Sequence, residues 1–379
     1  MLKCNSNLVL CLVTLMLLYR FAYAEPGVTE STITIGMSSP LSGPNGAYGL
    51  EMHEAISALI AKTNEEGGIY GRAIELITID DGYEPERAVA NTEKLLNEKK
   101  VFALIGYYGS SSTTAAMKVF SVAKAPLVGA ISGADTLRTP VERYMFNARA
   151  SYADETTAIV NQLVSIGLTK IAVFYQNDGF GKSGLNGVSQ ALKKHNMQPV
   201  VIGVVERNSL DVAAAVATIS AAKPQAVIMV TLYKPTAAFV KQMKALGVYT
   251  QFTTLSPVGA DLLAKELGTD ARGIAISQVM PYPWDDTLPI VKEYQRVMKK
   301  QNKNYKPSYY GLEGFINARI LIEGLKKAGK QPDREKLVDA LDSGNLDIGG
   351  YIVKYSSDTH NGSKFVELTV LGNSGHLLH

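Results

Sequence analysis

The sequence predicts an α/β protein with mainly parallel sheets arranged in two lobes. Three observations carry that expectation. Short apolar stretches with strand character alternate with amphipathic helical stretches along the whole chain. The chain has 379 residues, more than one hydrophobic core usually holds. No low-complexity or Pro/Ser-rich linker divides the first run of alternation from the second, which fits two lobes joined by short crossovers better than two independent units.

The elements follow in order. Thr32 to Gly36 alternates with period two and runs into a Gly/Ser/Pro loop. Leu50, Ile56, Leu59 and Ile60 mark one face of a helix that stops at Gly67-Gly68. Ile74 to Ile79 is the next strand, closed by Asp80-Asp81-Gly82. Pro85 then opens a helix whose inner stripe is Ala88, Val89, Thr92, Leu95 and Leu96. Val101 to Ile105 reads as a buried strand, followed by a helix to about Ala123 and a strand over Pro126 to Ile131. A second series starts near Arg149. Its strands are Lys170 to Tyr175, Val200 to Val205, Ala226 to Leu232 and Gln251 to Leu255; its helices are Gly181 to His195, Asp211 to Ala222 and Pro235 to Leu246. Ile274 to Val279 leads back toward the first lobe. Helices are expected over Leu288 to Gln301, Ser308 to Ala328 and Asp333 to Leu341, and two antiparallel strands over Leu346 to Tyr355 and Lys364 to Leu371.

The N-terminus reads as a secretory leader. Lys3 supplies the positive start, Leu8 to Leu18 the apolar run, and Ala22-Tyr23-Ala24 a small-x-small cleavage site. The apolar run is too short to span a bilayer, which takes about 20 residues. Cleavage after Ala24 makes residues 1–24 a signal peptide and sends the remainder to the periplasm. Both cysteines, Cys4 and Cys11, lie in the leader, so the mature chain has no disulfide, no thiolate metal site and no cysteine nucleophile. Removing Lys3 and Arg20 leaves 36 basic against 35 acidic residues, a balance that gives no footprint for nucleic acid or an anionic membrane.

One junction has chemical promise. Gly106 and Gly109 turn the chain at the end of the Val101 to Ile105 strand, and Ser110-Ser111-Ser112-Thr113-Thr114 follows where a helix begins. Hydroxyls, unpaired N–H groups and the positive end of the helix dipole there favour an anion, although the same residues would also serve as an ordinary helix cap.

Several segments together resemble the periplasmic solute-binding proteins of the leucine/isoleucine/valine-binding type. They are Ile35 to Pro44, Gly67 to Gly71, Asp80 to Pro85, Ile105 to Thr113 and Tyr175 to Gly181, five in the family's order. The resemblance spans essentially the whole chain after the leader. It implies a type I periplasmic binding protein fold, with two Rossmann-like lobes, three hinge crossovers and a ligand between the lobes. The expected division is 25–147 plus 280–366 for lobe 1 and 148–279 plus 367–379 for lobe 2.

The same resemblance implies the site. Tyr108-Gly109-Ser110 and Ile131-Ser132-Gly133 match the two loops that grip a ligand carboxylate. Ser110 and the backbone near Gly133 are the expected clamp. The family's carboxylate-binding threonine falls on Gly133, which removes one hydroxyl; Ser132 is the candidate to compensate. Tyr48, Phe180, Tyr233 and Tyr309 match aromatic residues around the ligand, with Tyr152 and Tyr175 as neighbours at strand ends; such rings combine apolar area with a polar handle. The acid that pairs with a ligand's ammonium falls on Ser256, and Asp261 lies too far along to replace it. Either another acid serves or the ligand has no α-ammonium, and the second reading is favoured because a buried ammonium needs a counter-charge.

Other motifs fail on their own terms. Gly181-Lys182-Ser183 would need a glycine at Gln176 to complete a phosphate-binding loop, and Thr113 stands where a nucleophile elbow needs its last glycine. His53, His195, His360, His376 and His379 lack ligand spacing. Asp80-Asp81 suits a capped turn better than a metal pair. With no nucleophile, base and oxyanion site together, no enzyme activity, cofactor or metal is expected. The expected function is extracytoplasmic capture of a small carboxylate-bearing ligand, either a hydrophobic or branched-chain amino acid or an aromatic or aliphatic carboxylic acid. A monomer would deliver that small-molecule ligand to an inner-membrane ABC permease. The rival reading is a periplasmic sensor that signals to a membrane receptor.

Overall fold

The computed structural model of the protein describes residues 25–373 and 377–378. The leader, its cleavage site, His376 and His379 lie outside the described residues.

Two sheets organise the molecule. The first has the order β2-β1-β3-β4-β5, built from β1 (Thr32–Ser39), β2 (Ala73–Asp80), β3 (Ala103–Ile105), β4 (Leu127–Val128) and β5 (Met145–Phe146), all parallel. The second runs β14-β13-β10-β9-β8-β6-β7. Its parallel part comprises β6 (Ile171–Asn177), β7 (Ile202–Glu206), β8 (Ala226–Val230), β9 (Gln251–Thr254) and β10 (Ala275–Gln278). β13 (Glu367–Leu371) pairs antiparallel to β10, and β14 (Leu377–Leu378) antiparallel to β13.

The parallel strands of both sheets follow one plan: the first strand of the series lies between the second and the third. Chain direction reverses its lateral course beside β1 in one sheet and beside β6 in the other. In such sheets ligands gather outside the carboxyl ends of the strands at this switch. The loops after β1, β3, β6 and β8 therefore converge on one cleft. The chain crosses between the sheets three times, after β5, after β10 and before β13.

Burial explains the strand patterns. β8 is buried at all five residues, as expected for a parallel strand covered on both faces. β7, at the sheet's edge, alternates exposed and buried residues. Helices α1 (Gly46–Glu65), α2 (Pro85–Asn97) and α3 (Ser110–Val122) cover the first sheet; α4 (Tyr152–Ser165), α5 (Gly179–Lys193), α6 (Ala213–Ala222), α7 (Tyr233–Ala245) and α8 (Ala260–Leu267) belong to the second. After the second crossover, α9 (Pro289–Gln301) and α10 (Tyr309–Ala328) return to pack on α1, and α11 (Arg334–Asp342) packs on α10.

Differences from the sequence reading are local. α4 and α8 carry no helix expectation. α4 is fixed by a capping box in which Ser151 Oγ accepts from Asp154 N at 3.0 Å and Asp154 accepts from Ser151 N at 3.0 Å. The stretch Leu346 to Tyr355 is not one strand. Asp347 Oδ1 accepts from the N–H groups of Gly349 and Gly350, folding it into a hairpin of β11 (Asn345–Asp347) and β12 (Ile352–Lys354). The last expected strand joins β10 instead of that hairpin. Asp80 and Asp81 cap the turn after β2, accepting from Gly82 N and Tyr83 N at 2.8 Å each.

Candidate functional site

The junction after β3 does not form a side-chain helix cap. Gly109 occupies the cap position of α3 with φ of 90°, and no side chain caps the helix. The hydroxyls turn outward from the helix instead. Ser110 Oγ lies 2.8 Å from Ser132 Oγ and 3.4 Å from Tyr152 OH. Ser111 Oγ reaches the other sheet's loops and accepts from Gly179 N at 3.0 Å. Ser112 Oγ and Thr113 Oγ1 are buried without a partner among the described residues. Three hydroxyls thus meet beside the free N–H groups of a helix's first turn, an arrangement suited to a small anion.

The loops after β3 and β4 are locked together. Ile131 N donates to Tyr107 O at 2.7 Å and Gly109 N donates to Ile131 O at 3.2 Å, so the backbone at Ile131 serves to pin Gly109. Ser132 is held by its own turn, its Oγ accepting from Ala134 N at 3.1 Å. Beneath them Arg138, almost wholly buried, donates to the carbonyls of Ser132, Gly133, Arg149 and Ala150. One guanidinium therefore ties the β4 loop to the first crossover.

Gly133 has a steric cause. A Cβ there would lie 2.5 Å from Tyr152 Cδ1 and 2.6 Å from Tyr152 N. Tyr152 N also donates to Gly133 O at 2.8 Å, so the approach is fixed by backbone. The tyrosine occupies the space of the missing side chain and presents its own hydroxyl to Ser110. Burial pushes the Tyr152 phenol above its ordinary range, keeping it a neutral donor. Phe180, from the start of α5, packs on the Tyr152 ring with centroids 5.2 Å apart.

An aromatic group closes the next layer. Tyr48 stacks on Tyr108 at 4.9 Å, with Tyr310 5.0 Å and Tyr233 5.6 Å from Tyr48. Tyr83 meets Tyr108 at 5.6 Å. Their polar tips join the two sides of the cleft: Tyr48 OH donates to Val258 O at 2.9 Å, Tyr310 OH to Pro257 O at 2.9 Å and Tyr233 OH to Pro44 O at 3.1 Å. The sequence reading picks Tyr309 and passes over Tyr310. Tyr310 lies inside the aromatic group, whereas Tyr309 packs edge-on against Trp284 at 5.7 Å. Tyr309 still lines a small interior cavity with Ser256, Gln278, Tyr310 and Glu313.

Tyr175 is set apart from this group. It is half-buried on β6, in register with Val204 and Val230. Side chains alternate across a strand, so the neighbouring Gln176 takes the cleft-facing place. Gln176 Nε2 donates to Asp178 Oδ2 at 2.8 Å and to Tyr83 OH at 3.4 Å.

Ser256 is not alone at the end of β9. Arg149, from the first crossover, donates Nη2 to Ser256 Oγ. Around it lie two buried acids, Glu155 with an oxygen 3.7 Å away and Glu313 with an oxygen 3.6 Å away. Glu155 Oε2 accepts from Ser256 N at 2.9 Å and from Ser277 Oγ at 2.6 Å. Burial pushes the Glu313 carboxyl up to about 7 against the pull of Arg149, and burial raises Glu155 as well. Burial works against the charged form of Arg149, but Glu313 and Glu155 outweigh it and hold the guanidinium charged. The sequence reading has none of these three residues.

At the rim, Arg207 follows β7 and crosses to the other side of the cleft. Its Nη1 pairs with Asp178 Oδ2 at 2.7 Å, its Nη2 donates to Tyr83 O, and its guanidinium sits 3.8 Å from the Tyr83 ring centroid. Asn208 Nδ2 donates to Glu84 Oε1 at 2.7 Å and its Oδ1 accepts from Asn45 Nδ2 at 3.1 Å.

Two sheets of the same parallel plan, joined by three crossovers and facing across a cleft lined with hydroxyls and tyrosines, define a type I periplasmic binding protein fold. The chain belongs to the periplasmic binding protein family, whose model matches residues 32–371. It is similar to a possible leucine/isoleucine/valine-binding protein from Rhodopirellula baltica, with 32% identity, a TM-score of 0.87 and coverage of 92% of this chain and 96% of that one. A substrate-binding periplasmic protein from Ralstonia solanacearum shares 32% identity at a TM-score of 0.86, covering 91% and 99% of the two chains. An amino acid binding protein from Pseudomonas aeruginosa is 26% identical over 78% of this chain and 79% of its own length.

Proposed function

We propose that this protein is the extracytoplasmic solute-binding component of an ABC transporter, capturing a small carboxylate-bearing solute in the cleft between its sheets. The observation that carries this reading is the meeting of Ser110 Oγ, Ser132 Oγ and Tyr152 OH at the first turn of α3. The carboxylate takes hydrogen bonds there from hydroxyls and helix N–H groups. Tyr48, Tyr108, Tyr233, Tyr310 and Phe180 enclose the remainder of the solute, a hydrophobic or branched-chain amino acid or an aromatic or aliphatic acid. The similarity to an amino acid binding protein supports that range.

The mechanism is closure about the three crossovers. The contacts from Tyr48, Tyr310, Tyr233 and Arg207 to the opposite side form as the cleft shuts, and the shut form is what an inner-membrane permease recognises. The leader directs the chain to the periplasm, where it acts as a monomer. Mass spectrometry of material released on denaturing the purified protein tests the proposal. A small carboxylic or amino acid is expected; a sugar or nucleotide as the sole occupant would overturn it.

A further inference from the structure

We infer that Glu313, on α10, accepts the ammonium of the bound solute, taking over the task of an acid at the end of β9. The inference rests on the reading of the cleft as a carboxylate site and adds a second recognised group to it.

The two buried acids beside Ser256 are not equivalent. Glu155 is fully employed: one of its oxygens takes hydrogen bonds from Ser256 N and Ser277 Oγ, and both donors belong to the second sheet's side of the cleft. That fixes Glu155 as the standing partner of Arg149. Glu313 comes from the opposite side, lines the interior cavity with Ser256, Gln278, Tyr309 and Tyr310, and is only 4% exposed. Its Oε1 has no hydrogen-bond partner among the described residues. Two carboxylates thus face one guanidinium, and the carboxylate left over is the one that borders the cavity. A buried carboxylate short of donors and counter-charge is disfavoured unless it binds a proton or a cation.

The charged and titratable groups facing Glu313 are Arg149, Glu155 and Arg138, with the phenols of Tyr310 and Tyr351 beside them. Arg138 cannot satisfy it, because that guanidinium is spent on backbone carbonyls and on Asn361 Oδ1 at 2.7 Å. In the empty protein the proton meets the need, which is why burial holds Glu313 near 7. An ammonium with three N–H donors supplies both charge and hydrogen bonds, and displaces that proton. Arg149 stays with Glu155, so the added cation meets an acid that is free to receive it.

Paired probes test this by calorimetry: L-leucine against 4-methylpentanoate, and L-phenylalanine against 3-phenylpropanoate. Each pair differs by the α-ammonium alone. The amino acid is expected to bind at least about tenfold tighter than its partner, and about tenfold tighter at pH 8 than at pH 6 as Glu313 gives up its proton. The ammonium-free acid should lack that rise. Glu313→Gln should erase the preference within a pair while leaving the ammonium-free acid's affinity in place, and the wild-type pH profile stands even if this variant folds poorly. Equal binding within each pair, or tighter binding of the ammonium-free acids, overturns the role of Glu313 and leaves the carboxylate site standing. Failure of every probe, with a sugar or nucleotide recovered from the native protein, overturns both.

Discussion

Inside the cleft, the polar groups are almost completely withdrawn from water, whereas at the rim they remain partly wet. Ser110, Ser132, Arg149, Tyr152 and Glu155 are all no more than 1% exposed. The Arg207 side chain keeps 15% of its exposure, and Asn208 beside it is exposed. The difference assigns different physical tasks. Deep polar groups must be satisfied by one another or by a bound solute, so they discriminate between solutes. Rim groups have water as an alternative partner, so they gain little from any one contact and act on how long the cleft stays shut.

The largest effect should come from Gly133→Thr, which restores the residue type the family places there. Its Cβ would meet the backbone nitrogen of Tyr152 at 2.6 Å, and backbone cannot step aside as a flexible side chain would. Overpacking of this kind costs about 1–3 kcal/mol. Chemical denaturation should show that loss, and calorimetry should show solute binding falling by more than about a hundredfold as Tyr152 is pushed off Ser110. Unchanged binding would mean that Tyr152 does not stand in for the missing threonine.

Ser110→Ala comes next and separates recognition from stability. The serine's neighbours keep other partners, since Ser132 Oγ still accepts from Ala134 N. The melting temperature of the empty protein should therefore barely move. Affinity should fall by about 1–3 kcal/mol, the scale of a hydrogen bond to a charged group. An affinity equal to wild type would place the anion elsewhere.

The rim and the interior also differ in how far they can be read from sequence. Ser110, Ser132 and Gly133 sit in short motifs after apolar strands, where local pattern and family order agree. The aromatic assignments hold less well because a strand's face depends on register: a one-residue step separates Tyr175 from Gln176, and the helical neighbour Tyr310 lies where Tyr309 was expected. Arg149, Glu155 and Glu313 have no local signature at all. They arrive from a crossover, α4 and α10, and only the packing of the two sides brings them together. A hint exists in retrospect: Glu313 is three residues after Tyr310, on the same face of one helix. That hint matters because the missing acid at Ser256 suggests a solute without an ammonium, while the assembled cleft contains two acids there.

Arg207→Lys should have the smallest effect and the most informative kinetics. Lysine keeps the charge opposite Asp178, now 2.7 Å from Arg207 Nη1. It loses the planar fork that serves Asp178 and the Tyr83 carbonyl together, and the flat contact with the Tyr83 ring 3.8 Å away. The expected loss in affinity is roughly 1 kcal/mol or less, since Asn208 and Tyr233 still bridge the rim. Stopped-flow fluorescence should show dissociation accelerated several-fold with association almost unchanged, because the rim contacts form only after the solute has entered. The preference between an amino acid and its ammonium-free partner should stay as in wild type. A change in that preference would place Arg207 among the groups that read the solute and would dissolve the division between interior and rim.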